Sequence, residues 1–128
     1  LARAVQFFAP GIPQVYYVGM LAGKNDIELL EETKVGRNIN RHYYSKAEID
    51  SEVKRPVVQK LIKLMEFRNS YPAFEGNYQI HDSEREEELK ISWQKGESEA
   101  YLIADFSDQS FEIKYINQEE AELKTLNL

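Results

Sequence analysis

The stretch Phe7-Phe8-Ala9-Pro10-Gly11-Ile12-Pro13-Gln14-Val15-Tyr16-Tyr17-Val18-Gly19 decides how the rest of the chain is read. Two prolines stand at its entrance and a glycine at its exit. Aromatic and β-branched residues dominate, and the prolines sit only where a strand can begin, so the pattern predicts a short buried strand over residues 14–19. The apolar run of residues 1–8 before it predicts the end of a helix. A buried strand needs neighbours on both edges, and the chain offers no parallel partner. The 128 residues are therefore expected to be the tail of a larger protein.

Outward from that segment, Met20 to Gly23 reads as a turn of small residues. Asn25 with Glu28 resembles a capping box and predicts a helix over 26–32. Residues 34–44 show neither period and are rich in Asn and Gly, which predicts an ordered loop. Ser45-Lys46-Ala47-Glu48 is a second capping box, opening one or two helical turns. The strongest helix is expected over 52–69. Val53, Val57, Leu61, Leu64, Met65 and Arg68 follow helical spacing there, Val58 and Ile62 broaden the stripe, and Pro56 falls in the first turn. From Asn77 the period changes to two, predicting strands at 77–81, 89–93, 100–106, 110–116 and 122–126. Short strands with close turns imply an antiparallel sheet. Leu89, Ile91 and Trp93 should face the core, opposite Lys90 and Ser92. The fold class is thus α+β, with a terminal β/α unit in residues 1–73 and a small all-β domain in residues 74–128.

Composition narrows the function classes. With 42% hydrophobic and 30% charged residues the chain is ordinary for a soluble protein. It has no apolar run of the roughly 20 residues that span a bilayer, so no membrane partner is expected. No secretory leader is visible, and the absence of cysteine removes disulfides and thiolate metal sites, which fits a cytoplasmic location. Residues 1–73 hold 11 Lys/Arg against 8 Asp/Glu, and residues 74–128 hold 5 against 14. So acidic a second half argues against nucleic acid, whose phosphates need cationic partners.

The strand, the long connection after it and the following helix form one β–loop–α unit. Functional groups of such units project from the C-terminal ends of strands and the loops beyond. The connection over residues 19–51 far exceeds the roughly 2–6 residues usual for a βα loop, and long ordered loops are commonly functional. Within it Arg37 follows Gly36, where the backbone can turn sharply, and an Arg offers paired planar donors to hydroxyls or carboxylates. His42 and His81 lie in different halves without metal-ligand spacing, so no metal site is expected. His42 reads as a hydrogen-bonding loop residue rather than a general base. Glu86-Glu87-Glu88 reads as a solvated turn, and Trp93 as core rather than a sugar platform.

Pro10-Gly11-Ile12-Pro13-Gln14-Val15-Tyr16-Tyr17-Val18-Gly19 resembles the eighth barrel strand of the α-amylase superfamily, with Val18 inserted before the glycine. Leu21-Ala22-Gly23-Lys24-Asn25-Asp26, Gly36-Arg37-Asn38-Ile39-Asn40-Arg41-His42-Tyr43-Tyr44, Arg55-Pro56-Val57-Val58 and Phe67-Arg68-Asn69 are similar to the sucrose phosphorylase branch of it. The resemblance covers about residues 1–74. It implies the last β/α unit of a (β/α)8 barrel, and an enzyme converting sucrose and phosphate to α-D-glucose 1-phosphate and D-fructose. Retention implies two displacements, through a carboxylate nucleophile and an acid/base carboxyl. In that family those carboxylates lie on earlier strands, so no catalytic residue is expected in this chain, which alone should be inactive. Arg37 matches the family's substrate-binding Arg, which clamps the far hydroxyls of the glucosyl ring. Asn38 stands where some relatives carry Asp. No cofactor is implied beyond inorganic phosphate as co-substrate.

Two other readings stay open. The glucoside could be sucrose 6′-phosphate or a relative of it, because acceptor-side loops lie upstream. The chain could instead be a non-catalytic β-type module that binds sugar or protein; exposed aromatics on one strand face would favour it, and Trp93 and Tyr101 buried against the 52–69 helix would disfavour it. Without companion strands, each of Ile12, Val15, Tyr16 and Val18 leaves unburied a side chain worth about 1.5–3 kcal/mol. The isolated chain is therefore expected to self-associate, refold this segment or leave it disordered, and the whole protein to be a monomer or homodimer.

Overall fold

The computed structural model describes residues 1–117 and 122–128, which form two compact units, Leu1–Pro13 with Leu64–Leu128, and Gln14–Lys63. In the first, five strands run as a meander in the order β1-β2-β3-β4-β5, every neighbouring pair antiparallel. They are β1 (Asn77–His81), β2 (Glu88–Lys95), β3 (Ser98–Asp105), β4 (Ser110–Asn117) and β5 (Glu122–Thr125). Each falls where the period-two pattern predicts it. The register opposes Trp93 to Ala100 and Ile91 to Leu102, so one face gathers Ile91, Trp93, Ala100, Leu102, Ala104 and Ile113, all buried.

Helix α1 (Ala2–Phe8) covers part of that face with Ala4, Phe7 and Phe8. Phe8 stands edge-on to Phe74 at 5.1 Å, and Phe67 does so at 5.5 Å. Such tilted pairs set the positive ring edge against the negative face. Trp93 lies at the centre, 6% exposed, with its indole Nε1 donating to the Phe8 carbonyl at 2.7 Å. The Arg68 guanidinium lies 4.4 Å from the Phe74 ring centroid and 5.1 Å from that of Trp93, and donates to the Gly11 carbonyl at 3.0 Å. The Tyr71 hydroxyl donates to the Ile116 carbonyl at 2.5 Å, tying the segment before the sheet to β4.

Gly76 enters β1 where a Cβ would collide with the backbone carbonyl of Gln94. Backbone cannot give way as a flexible side chain can. Gly76→Ala should therefore cost about 1–3 kcal/mol, the range for overpacking. Chemical denaturation followed by circular dichroism measures it, and an unchanged midpoint would show that the β1–β2 edge yields.

The unit Gln14–Lys63 is made of short helices: α2 (Tyr17–Met20), α3 (Ile27–Thr33), α4 (Lys46–Glu52) and the first turns of α5 (Pro56–Ser70). Here the strand expected over 14–19 is corrected. Tyr16 is extended, but the chain then closes a helical turn in which Met20 N–H donates to the Tyr16 carbonyl at 2.9 Å. No strand among the described residues pairs with this segment, and the N–H groups of Met20 and Leu21 are satisfied within the turn. Ile12 is left 93% exposed and Tyr16 half exposed.

Two boundaries shift for physical reasons. The N-cap of α3 is Asp26 rather than Asn25, its carboxylate accepting from Leu29 N–H at 2.9 Å. The strong helix starts at Pro56, because proline lacks the N–H that a helix already under way would need. Its buried stripe consequently runs through Val58, Leu61, Leu64 and Phe67, leaving Val57 49% exposed. The Ser45–Glu48 capping box forms as the sequence predicts.

Candidate functional site

The loop between α3 and α4 is built around a 3-10 turn, Gly36–Asn40, which carries Arg37. The sharp reversal that the sequence assigns to Gly36 falls two residues earlier. Lys34, after the last turn of α3, takes the left-handed conformation at φ 54°, ψ 20°. Its N–H donates to the Leu30 carbonyl at 2.8 Å, an αL-type helix end. Arg37 is exposed, and its guanidinium makes no hydrogen bond or ion pair among the described residues. Five planar donors are thus free to meet an acceptor.

His42 lies just beyond the turn, between two carboxylates. Its Nδ1 is 2.8 Å from Asp26 Oδ2, and its Nε2 is 3.4 Å from Glu48 Oε1. The Asp26 hydrogen bond, helped by Glu48, holds the imidazolium above the ordinary histidine range. The Leu29 N–H and then His42 hold Asp26 below the usual carboxylate range. Glu48 is lowered by the Ser45 N–H, which donates to Oε2 at 2.6 Å, and further by His42. The ring of Tyr44 stands edge-on to His42 at 4.6 Å, and the Tyr17 hydroxyl donates to the His42 carbonyl at 3.0 Å. Histidine here is a hydrogen-bonded loop residue, as its sequence context suggests.

These groups line an open cleft of about 730 Å³ with Lys24, Asn25, Glu28, Glu52 and Arg55 on its walls. Arg55 pairs with Glu52 and donates to the Leu21 carbonyl at 3.3 Å. Arg37 is not among the lining residues. The sequence singles out Arg37 and His42 but misses Asp26 and Glu48 as partners of His42. No motif spans the 16 residues from Asp26 to His42, and Glu48 is recognisable only as a helix-capping residue. No group of three or more His, Asp or Glu among the described residues could hold a metal ion. No helix among them is long and apolar enough to cross a membrane.

In sequence and in fold, the chain is similar to one portion of the phosphorylases named for sucrose. A sucrose 6(F)-phosphate phosphorylase of Thermoanaerobacterium thermosaccharolyticum is 50% identical over 125 residues, covering 98% of this chain and 25% of that protein. A glucosylglycerol phosphorylase of Marinobacter adhaerens is 44% identical over 125 residues, covering 98% of this chain and 26% of that protein. A sucrose phosphorylase of Streptococcus mutans reaches 71% identity over 75 residues, covering 59% of this chain and 16% of that protein. The backbone matches the crystal structure of sucrose 6F-phosphate phosphorylase from Thermoanaerobacter thermosaccharolyticum with a TM-score of 0.94 at 47% identity. That match covers 99% of this chain and 25% of the other, in its C-terminal domain. The chain therefore spans about a quarter of the length of the curated relatives it matches. No protein-family model matches it.

Proposed function

We propose that this chain is the C-terminal part of a retaining glucoside phosphorylase that transfers the glucosyl unit of sucrose to phosphate, giving α-D-glucose 1-phosphate and D-fructose. The observation that carries this reading is similarity at about half identity along 98% of the chain, including the loop that holds Arg37. Arg37 is the substrate-binding residue, its guanidinium donating to hydroxyls on the far side of the glucosyl ring. The nucleophile and the acid/base carboxyl come from the remainder of the protein, so the chain alone is inactive. Inorganic phosphate is the co-substrate, and no further cofactor takes part. Residues 1–73 belong to the catalytic barrel and 74–128 to the β domain. The cysteine-free composition accords with a cytoplasmic enzyme.

A second acceptor chemistry has its own support. The relatives matched over nearly the whole chain are named for sucrose 6(F)-phosphate and for glucosylglycerol. The test is to incubate the full-length protein with phosphate and each of sucrose, sucrose 6′-phosphate and glucosylglycerol. Glucose 1-phosphate is followed by a coupled assay and its anomer by proton NMR. The expected result is α-glucose 1-phosphate, fastest from sucrose. A clear preference for another glucoside would move the assignment within the class, and no glucose 1-phosphate from any of them would overturn it.

A further inference from the structure

Arg37 is exposed and has no hydrogen-bond or ion-pair partner among the described residues, so its backbone must fix its direction. That backbone is held at both ends by α3. On the entry side, the Val35 N–H donates to Thr33 Oγ1 at 3.4 Å, and just past Arg37 the Asn38 Nδ2 donates to the same oxygen at 3.0 Å. On the exit side, Asp26 makes three bonds at once. Its N–H donates to the Ile39 carbonyl within the turn at 2.6 Å, its Oδ2 meets His42, and its Oδ1 caps α3 through Leu29. His42 then reaches α4 through Glu48 and α2 through the Tyr17 hydroxyl.

We infer that Asp26 and His42 are positioning residues for Arg37, the Asp26–His42–Glu48 bridge fixing the turn from which the guanidinium engages the glucosyl ring. This rests on the substrate-binding reading of Arg37 above. An imidazole between two carboxylates donates to both only when protonated. Neutral, it keeps one N–H and turns a lone pair toward the other carboxylate. The shorter Asp26 contact keeps the proton, so deprotonation breaks the Glu48 arm first. His42 is held above its ordinary range, so the full bridge stands below about pH 6.5 and is lost as pH rises through the raised value. The groups facing it are Asp26 at the head of α3, Glu48 of α4, Tyr44 of the loop and Tyr17 of α2. Lys24, Glu28, Glu52 and Arg55 share the cleft.

The test is a double-mutant cycle in the full-length enzyme, reading kcat/KM for sucrose at saturating phosphate. His42→Ala should lower it about 10–100-fold, the penalty of a misplaced binding group. On an Arg37→Ala background the same change should cost less than about 3-fold, because the positioned residue is gone. Asp26→Asn separates positioning from folding. Asn caps a helix as well as Asp, so α3 survives while the carboxylate facing His42 is removed. It should raise KM without lowering the melting temperature. In wild type KM should rise as His42 deprotonates, and in His42→Gln, which keeps an amide donor and folds in its place should His42→Ala not, that rise should vanish. Equal losses with and without Arg37, or a KM–pH profile unchanged by His42→Gln, would overturn the positioning role alone. Near-normal activity of Arg37→Ala would overturn it together with the substrate-binding reading.

Discussion

On the proposed substrate-binding role, replacing Arg37 by alanine in the full-length protein should lower kcat for sucrose phosphorolysis by about 10²–10³-fold, the loss typical of removing a preorganised donor from a reacting site. The argument starts from geometry. Arg37 stands on an exposed turn with its guanidinium uncommitted among the described residues, so its donors are available to the substrate the proposal assigns it. Two neighbouring hydroxyls of a sugar present acceptors at the spacing of a planar fork, and bonds to a charged donor are roughly twice as strong as neutral ones. Clamping the distal edge of the ring places the anomeric carbon, so the energy is expressed in turnover as well as in affinity. Arg37→Lys should recover little, since a point charge cannot span both hydroxyls. Initial rates of glucose 1-phosphate release measure this, with circular dichroism confirming the fold. Turnover within a few-fold of wild type would end the assignment of Arg37 to substrate.

Trp93→Ala should cost about 3–5 kcal/mol of stability, the range for truncating a buried large aromatic. Trp93 contacts Phe74 and Tyr78 at ring distances of 5.9 and 5.2 Å, and its indole N–H satisfies the Phe8 carbonyl. Truncation leaves both a cavity and a buried carbonyl without a donor, the latter worth about 1–3 kcal/mol by itself. Trp93→Phe divides the two, keeping much of the packing and losing only the hydrogen bond. Because Trp93 is the sole tryptophan of the chain, urea denaturation should be followed by circular dichroism rather than fluorescence. A cost below about 1 kcal/mol would be that of an ordinary surface position, and would reopen the reading of Trp93 as a sugar platform.

How far the sequence could be read depended on whether the physics was local. All five strands were legible because each alternates core and solvent residues, as Leu89-Lys90-Ile91-Ser92-Trp93 does. The Ser45–Glu48 box was legible because it closes within four residues. Residues 14–19 were not, since a strand exists only through its neighbours. The apolar pattern suits a paired strand, while among the described residues the backbone of Tyr17–Met20 bonds within its own turn. Asp26 rather than Asn25 serves as the cap, and its second carboxylate oxygen meets His42 from 16 residues away, a tie that no local pattern records. The candidate site shows the same division. Arg37 could be picked out through a family motif, whereas the Asp26–His42–Glu48 bridge exists only once three separate segments have met.

The unit Gln14–Lys63 leaves the other unit after Pro13 and returns to it at Leu64. The chain thus departs from and rejoins one body, anchored on one side by the Gly11 carbonyl beneath Arg68 and on the other by Leu64 and Phe67. In polymer terms it is an excursion with fixed ends, whose closure entropy grows only with the logarithm of its length. Doubling it would cost only about 0.6 kcal/mol. Insertions and deletions there are therefore nearly free for the sheet and its aromatic core. A change of length around Arg37 should therefore register in the proposed grip on the glucosyl ring before it registers in the stability of the sheet.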